Sequence, residues 1–472
     1  EVGADVQAVQ LDVVGDVGDD GEAGGLDDLD EPFQQPGGAH ASGQDLANAA
    51  VPTLGLVDTA VIGNFGTTAE LGAIALGAII FSFIYWSFGF LRMGTTGFTA
   101  QAVGAEDEAE VRATLGRALL IALTIGCSLT LLQWPLAELA FWLLDSSAEV
   151  ENAARAYFFI RIWGAPATLA MFAVTGSLIG LGLTRKLLAI QLLLNGVNAI
   201  LDVYFAGVLG LGARGIALGT LIAEWSSCLI ALTLLHRVLR RRHRDEERFW
   251  SWPRIADPQK LRRTLAANGD IMIRTLTLVF AFAWFVNQSA RFGDVILAAN
   301  HILLQLVSFS AFFLDGFAFV AESLVGQALG ARQRERFRRA VALSTQLACI
   351  TALLLALALL ALGQQAIAVL TDLPAVRQAA GDALPWCALY VLLAVAAFQL
   401  DGIFIGCTRT RAMRNAALLS AAIFLASSWP LSGHYGNHGL WWSFIVYVVA
   451  RALMLLPYYG RLEASLRQAR GT

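Results

Sequence analysis

The chain has 472 residues, of which 57% are hydrophobic and only 15% charged, and its mean hydropathy is +0.60. That composition excludes a disordered polypeptide and points away from a water-soluble domain. The formal net charge of −4 conceals an asymmetry: residues 1–42 hold eleven Asp/Glu and no Lys or Arg, whereas the remainder holds 26 acids against 33 bases.

Residues 1–42 read either as a disordered acidic tail or as a non-native start, and they carry no secretory signal pattern. Beyond them, apolar runs long enough to span a bilayer recur along the chain. The first half offers six, at about 46–63, 71–103, 115–143, 155–183, 187–207 and 213–236. A basic connector follows, with ten Lys/Arg against four acids in 236–263. The second half offers six more, at about 264–290, 296–330, 338–362, 379–407, 413–432 and 438–460. Several runs exceed the bilayer's thickness, so long or tilted helices are expected. Around 433–439, three glycines predict a loop, and the i,i+4 spacing of His434 and His438 is therefore not read as a metal pair. The five cysteines, Cys127, Cys228, Cys349, Cys387 and Cys407, lack CxxC spacing and are read as small hydrophobes.

The two halves are related. Gln101-Ala102-Val103-Gly104-Ala105 returns 226 residues later as Gln327-Ala328-Leu329-Gly330-Ala331, Ile179-Gly180 as Ile405-Gly406, and Thr184-Arg185 as Thr410-Arg411. Duplication on this scale is a common plan of secondary transporters. Basic residues also crowd 331–339 and 408–414, on the same side as the connector if the spans alternate in direction. The positive-inside rule then puts that side, and both termini, in the cytoplasm. The predicted fold is an all-α integral membrane protein with twelve transmembrane helices in two six-helix bundles related by the repeat. Its expected parts are a leader (1–42), an N-terminal lobe (43–236), a linker (237–263), a C-terminal lobe (264–460) and a tail (461–472).

Carboxylates inside apolar spans carry the functional information, because an Asp at a helix centre costs about 2.5–3.5 kcal/mol on insertion scales. Asp58 lies in the first span; Asn198 and Asp202 share one face of the fifth, and Thr220 adds a hydroxyl from the sixth. If the four converge, two carboxylates in one dry pocket cannot both remain charged cheaply, so the site would trap a proton. The same oxygens could ligate Na⁺. Helix capping by Asp58 and an interhelical hydrogen bond from Asp202 form the structural alternative. In the second half the acids differ: Asp315 and Glu322 are i,i+7 on one face, and Asp401, like Asp315, precedes a glycine, so a helix bend explains these two as well as a cavity does. Asp270 and Arg274, at i,i+4, read as a structural ion pair or a helix-to-helix tie rather than as a cation site.

The run Gly55 to Gly63, the block Phe88-Gly89-Phe90-Leu91-Arg92-Met93-Gly94-Thr95-Thr96-Gly97 leading to Gln101-Ala102, and Leu400-Asp401-Gly402-Ile403-Phe404-Ile405-Gly406 resemble the multidrug and toxic compound extrusion (MATE) family, within it the DinF-like branch. The likeness covers about residues 46–460. It implies two six-helix bundles in a V and cation-coupled export of organic compounds. It also implies a cation site at Asp58, Asn198, Asp202 and Thr220, and a second-lobe cavity lined by Asp315, Glu322 and Asp401. The expected function is export of lipophilic organic cations across the cytoplasmic (inner) membrane in exchange for H⁺, with Na⁺ coupling or flipping of a lipid-linked precursor as alternatives. No enzyme activity, bound metal, cofactor or nucleic-acid partner is expected, and the resemblance favours a monomer.

Overall fold

The computed structural model describes residues 67–144, 146–243 and 248–468, and these are helical throughout apart from short connections. The acidic segment, the first predicted span and Asp58 lie outside the described residues. In the first lobe the helices are α1 (Thr68–Ser87), α2 (Phe90–Gly104), α3 (Glu108–Leu131), α4 (Gln133–Leu143), α5 (Ala148–Arg161), α6 (Ala165–Gly180), α7 (Thr184–Asp202) and α8 (Gly212–Arg242). The short α9 (Trp252–Ile255) belongs to the connector. The second lobe comprises α10 (Pro258–Ala290), α11 (Asp294–Gly330), α12 (Arg334–Leu370), α13 (Pro374–Gly406) and α14 (Thr410–Gln468).

Ten helical stretches among the described residues are long and apolar enough to cross a membrane. The last contains two of the predicted spans, so eleven of the twelve are accounted for within the described residues. Helices of 37 residues, such as α11 and α12, run about 55 Å at 1.5 Å per residue, longer than the hydrocarbon core.

Two predicted spans differ in detail. The span at 71–103 is interrupted between Ser87 and Phe90. The run at 115–143 is two helices, because the chain turns at Leu132 just before Pro135. The break expected at 433–439 is present: two helices meet at Gly436, where φ is +56°, and the chain folds back so tightly that a Cβ at Gly439 would lie 1.9 Å from Leu431 O.

Local signals set the helix starts. Thr67 and Glu70 form a reciprocal capping box at α1, with the Thr67 amide donating to Glu70 Oε2 at 2.9 Å. Asp257 caps α10 ahead of Pro258, accepting from the amides of Gln259 and Lys260, and the Lys260 amide foremost holds its carboxyl below the usual carboxylate range.

Packing inside each lobe is by close contact. Phe81, Tyr157 and Phe158 fill one core and Phe285, Trp441 and Phe444 the other, all fully buried. The buried face of α12 includes Ala340, Ser344, Ala348, Ala352 and Ala356, a four-residue period of small side chains that lets a helix approach its neighbour closely. Large apolar side chains such as Leu131, Leu354 and Val369 point outward, as a lipid-solvated surface requires.

The lobes meet where α2 crosses α11. Gln101 Nε2 donates to Gly406 O at 2.9 Å, and its repeat partner Gln327 donates through Nε2 to Gly180 O at 3.0 Å. Backbones touch here: a Cβ at Gly104 would lie 1.9 Å from Gln327 O, and one at Gly330 would lie 2.1 Å from Gln101 O. At the same end the connector docks on α3, with Arg112 Nε donating to Phe249 O at 2.9 Å and Lys260 pairing with Glu110 at 2.6 Å.

Candidate functional site

Two polar clusters are buried in the apolar helices. The first is built on α7 and α8. Asn198 and Asp202, one turn apart, are fully buried, as is Thr220 opposite them. Asn198 Nδ2 donates to Thr220 Oγ1 at 3.2 Å, and that hydroxyl donates to Ile216 O at 3.0 Å. Asn198 Oδ1 is buried and takes no donor among the described residues. Directly after Asp202 the helix widens into a π turn, Val203–Val208. Gly219 makes room for the carboxylate, since a Cβ there would lie 2.3 Å from Asp202 Oδ1. The structure thus brings Asn198, Asp202 and Thr220 together, and Asp58 is outside the described residues.

This grouping presents a carboxylate, an amide oxygen and a hydroxyl, all hard oxygen donors. Such a set can hold a proton on the carboxylate or ligate a small hard cation. One turn beyond Thr220 on α8 stands Glu224, which was not among the residues expected at the site. Arg161 Nη2 lies 3.6 Å from its Oε1, and the Arg161 guanidinium sits 5.0 Å over the Phe81 ring. The chain between α5 and α6 opens into a 3₁₀ turn, Ile162–Gly164, beside this carboxylate. Its signal in the sequence was the i,i+4 spacing from Thr220.

The second cluster lies at the second lobe and the seam between lobes. Arg92 of α2 reaches across to Glu322 of α11, Nη1 to Oε2 at 3.1 Å. Asp401 of α13 accepts from both Arg274 of α10 and Arg451 of α14. Asp315 lies two turns before Glu322 on the same face of α11. The pocket expected to be acidic therefore contains three arginines among its three carboxylates. Of the two readings of Asp270 and Arg274, the helix-to-helix tie is the one found: Asp270 pairs with Arg414 at 2.7 Å and accepts from Thr410 at 2.9 Å, while Arg274 turns to Asp401. Tertiary partners on α13 and α14 outcompete the neighbour on the same helix.

A cleft of about 400 Å³ lies between α1 and α10, bordered by Ser82, Phe83, Trp86, Thr275 and Leu276. Phe81 and Phe285 belong instead to the two separate cores. His434 and His438 diverge: His434 Nδ1 lies 2.8 Å from Pro430 O, and His438 Nδ1 accepts from Trp386 Nε1 at 2.9 Å.

Comparison with known proteins gives three consistent results. The MatE family profile matches twice, over residues 46–204 and 271–429. DNA damage-inducible protein F of Escherichia coli (strain K12) is 37% identical over 416 residues, covering 88% of this chain and 90% of that one. A protein named probable multidrug resistance protein NorM, of Rhizobium meliloti (strain 1021), is 26% identical over 447 residues, covering 89% and 91%. Among solved structures, one described as the outward-facing conformation of a multidrug resistance MATE family transporter of the MOP superfamily superposes with a TM-score of 0.80 at 17% identity, over 91% of this chain and 95% of the other. At that identity the likeness concerns the fold.

Proposed function

The chain belongs to the MatE family, and on that footing we propose that it exports lipophilic organic cations across the cytoplasmic membrane in exchange for protons, by alternating access of its two lobes. The observation that carries this reading is the buried grouping of Asp202, Asn198 and Thr220. A carboxylate in hydrocarbon is expensive unless it does something there, and uptake of a proton is the cheapest way to relieve the cost. In the proposed cycle, Asp202 and Asp58 take a proton from outside while the cleft is open outward. Neutralising the pocket favours repacking of the first lobe and loss of the cargo. Release of the proton into the cytoplasm recharges the site. Each charge moving with the membrane potential gains about 2.3 kcal/mol per 100 mV, enough for substantial uphill export by one or two ions.

The amide oxygen of Asn198, with no donor among the described residues, supports a second reading in which the same site takes Na⁺. A flippase for a lipid-linked pyrophosphate is disfavoured, because Arg92, Arg274 and Arg451 are already matched by carboxylates. The basic ends of the helices, the connector and both termini are assigned to the cytoplasm, and the transporter is taken to act as a monomer.

The test is ethidium uptake into everted membrane vesicles, comparing the wild type with Asp202→Asn under imposed pH and Na⁺ gradients in turn. We expect transport driven by the pH gradient and lost in the variant. Uptake by Asp202→Asn at the wild-type rate and with the same ion dependence would remove the assignment, and uptake driven by Na⁺ alone would keep the site and change the ion.

A further inference from the structure

At the crossing of α2 and α11 both lobes follow one backbone plan, and a single ion pair departs from it. Arg92 O and Ala318 O lie against Gly176 and Gly402, while Thr96 O and Glu322 O lie against Gly180 and Gly406. Each of these correspondences spans 226 residues. The repeat equivalent of Arg92 is therefore Ala318, and that of Glu322 is Thr96. Charge has been placed on one member of each pair, and the two charges face each other across the seam, with side chains 13% and 1% exposed. Phe319 covers the Arg92 guanidinium at 4.1 Å from its ring centre. Backbones pack the same way around the uncharged Ala318 and Thr96, so close packing alone does not call for the pair.

A buried ion pair adds little over well-packed apolar side chains, yet losing one charge leaves the other stranded. It is a weak glue and an effective switch. The charged groups facing Glu322 are Arg92 from α2, Arg274 from α10 and Asp315 on its own helix. Beyond them lie Asp401 of α13 and Arg451 of α14, both engaged with one another. Packed helix α6 carries no charged residue, and α12 carries none after Arg339. Because Arg274 is held by Asp401, the hydrogen bond that Glu322 accepts comes from Arg92.

We propose that Arg92 and Glu322 form a latch holding the basic ends of the two lobes together, and that a proton taken up by Glu322 releases it. Once Glu322 is neutral, the crossing keeps the hydrogen bonds of Gln101 and Gln327 and its glycine contacts but loses its charge pair, and Arg92 is left without its counter-charge. The inference rests on the transporter reading and deepens it. In that cycle an external proton must precede opening to the cytoplasm, and this carboxylate sits on the seam that has to open.

The test uses spin labels at Ala105→Cys and Ala331→Cys, repeat-related positions just past α2 and α11, in the full chain with its five native cysteines replaced. Their distance distribution is read by double electron–electron resonance in liposomes between neutral and acidic pH. We expect one short distance at neutral pH in the wild-type background and a second, longer population on acidification. Glu322→Gln should show the longer population at every pH, and Arg92→Glu combined with Glu322→Arg should restore the short distance at neutral pH. Wild-type distances and an unchanged acid response in Glu322→Gln would overturn the latch, as would failure of the charge swap to restore closure. The readout is a distance, so a chain that moves no organic cation but lengthens on acidification, through Glu322, upholds the latch and sinks the transport assignment.

Discussion

Buried carboxylates in this chain divide by what surrounds them. Asp401 is held by two arginines that reach it from other helices, 127 and 50 residues away in sequence. Removing its charge strands both guanidiniums in a dry interior, and breaking a buried pair in this way costs about 3–5 kcal/mol. Asp401→Asn should therefore lower the thermal unfolding midpoint in detergent markedly. Asp202→Asn mimics the protonated carboxylate that the proposed cycle must tolerate, so it should lower the midpoint less while abolishing ion-coupled transport. Equal midpoints for the two variants would contradict the division. The Asn198 and Asp202 pair was legible in the sequence because i,i+4 spacing fixes a helix face and polar residues in an apolar span stand out, whereas Thr220, on another helix, was joined to them by the family resemblance. Asp401 and Asp270 were not legible, because their partners are set by which helices pack together, and spacing along one helix says nothing of that.

Helix boundaries show the same contrast one level up. Apolar run length located the spans, since the bilayer fixes the length a helix needs. Interruptions inside two runs, between Ser87 and Phe90 and at Leu132 ahead of Pro135, did not show in run length, whereas the break at Gly436 was read from its glycines. Gly436 adopts φ +56° and ψ −134°, a conformation strained for any residue with a Cβ, whereas Gly433 sits in regular helix with nothing within 4 Å of where a Cβ would stand. Gly436→Ala should destabilise by roughly 1–3 kcal/mol through backbone strain. Gly433→Ala should be neutral or stabilising by up to about 1 kcal/mol, because alanine favours the helix. Unfolding midpoints of the two variants in the same detergent check this, and a milder loss at 436 than at 433 would mean that the kink is relaxed elsewhere.

At the scale of the whole molecule, the repeat fixes more than the fold class. It was visible in Gln101-Ala102 and Gln327-Ala328, and these glutamines bind the carbonyls of Gly406 and Gly180, residues the repeat also relates. What one sequence could not reveal was that these motifs face each other across the seam, because two copies of a unit do not state how they pack. Contact at the crossing depends on glycine: a methyl group at 104 or 330 would press on a main-chain carbonyl, at 1.9 or 2.1 Å, and main chain yields less readily than a flexible side chain. Gly104→Ala and Gly330→Ala should therefore each force the basic ends apart. Because the two positions are related by the repeat, the labels at Ala105→Cys and Ala331→Cys should lengthen by similar amounts in both. Gly196→Ala, with open space around it, should leave the distance unchanged. Unequal responses at 104 and 330 would show that one lobe yields while the other holds, and that the symmetry of the crossing does not extend to its mechanics.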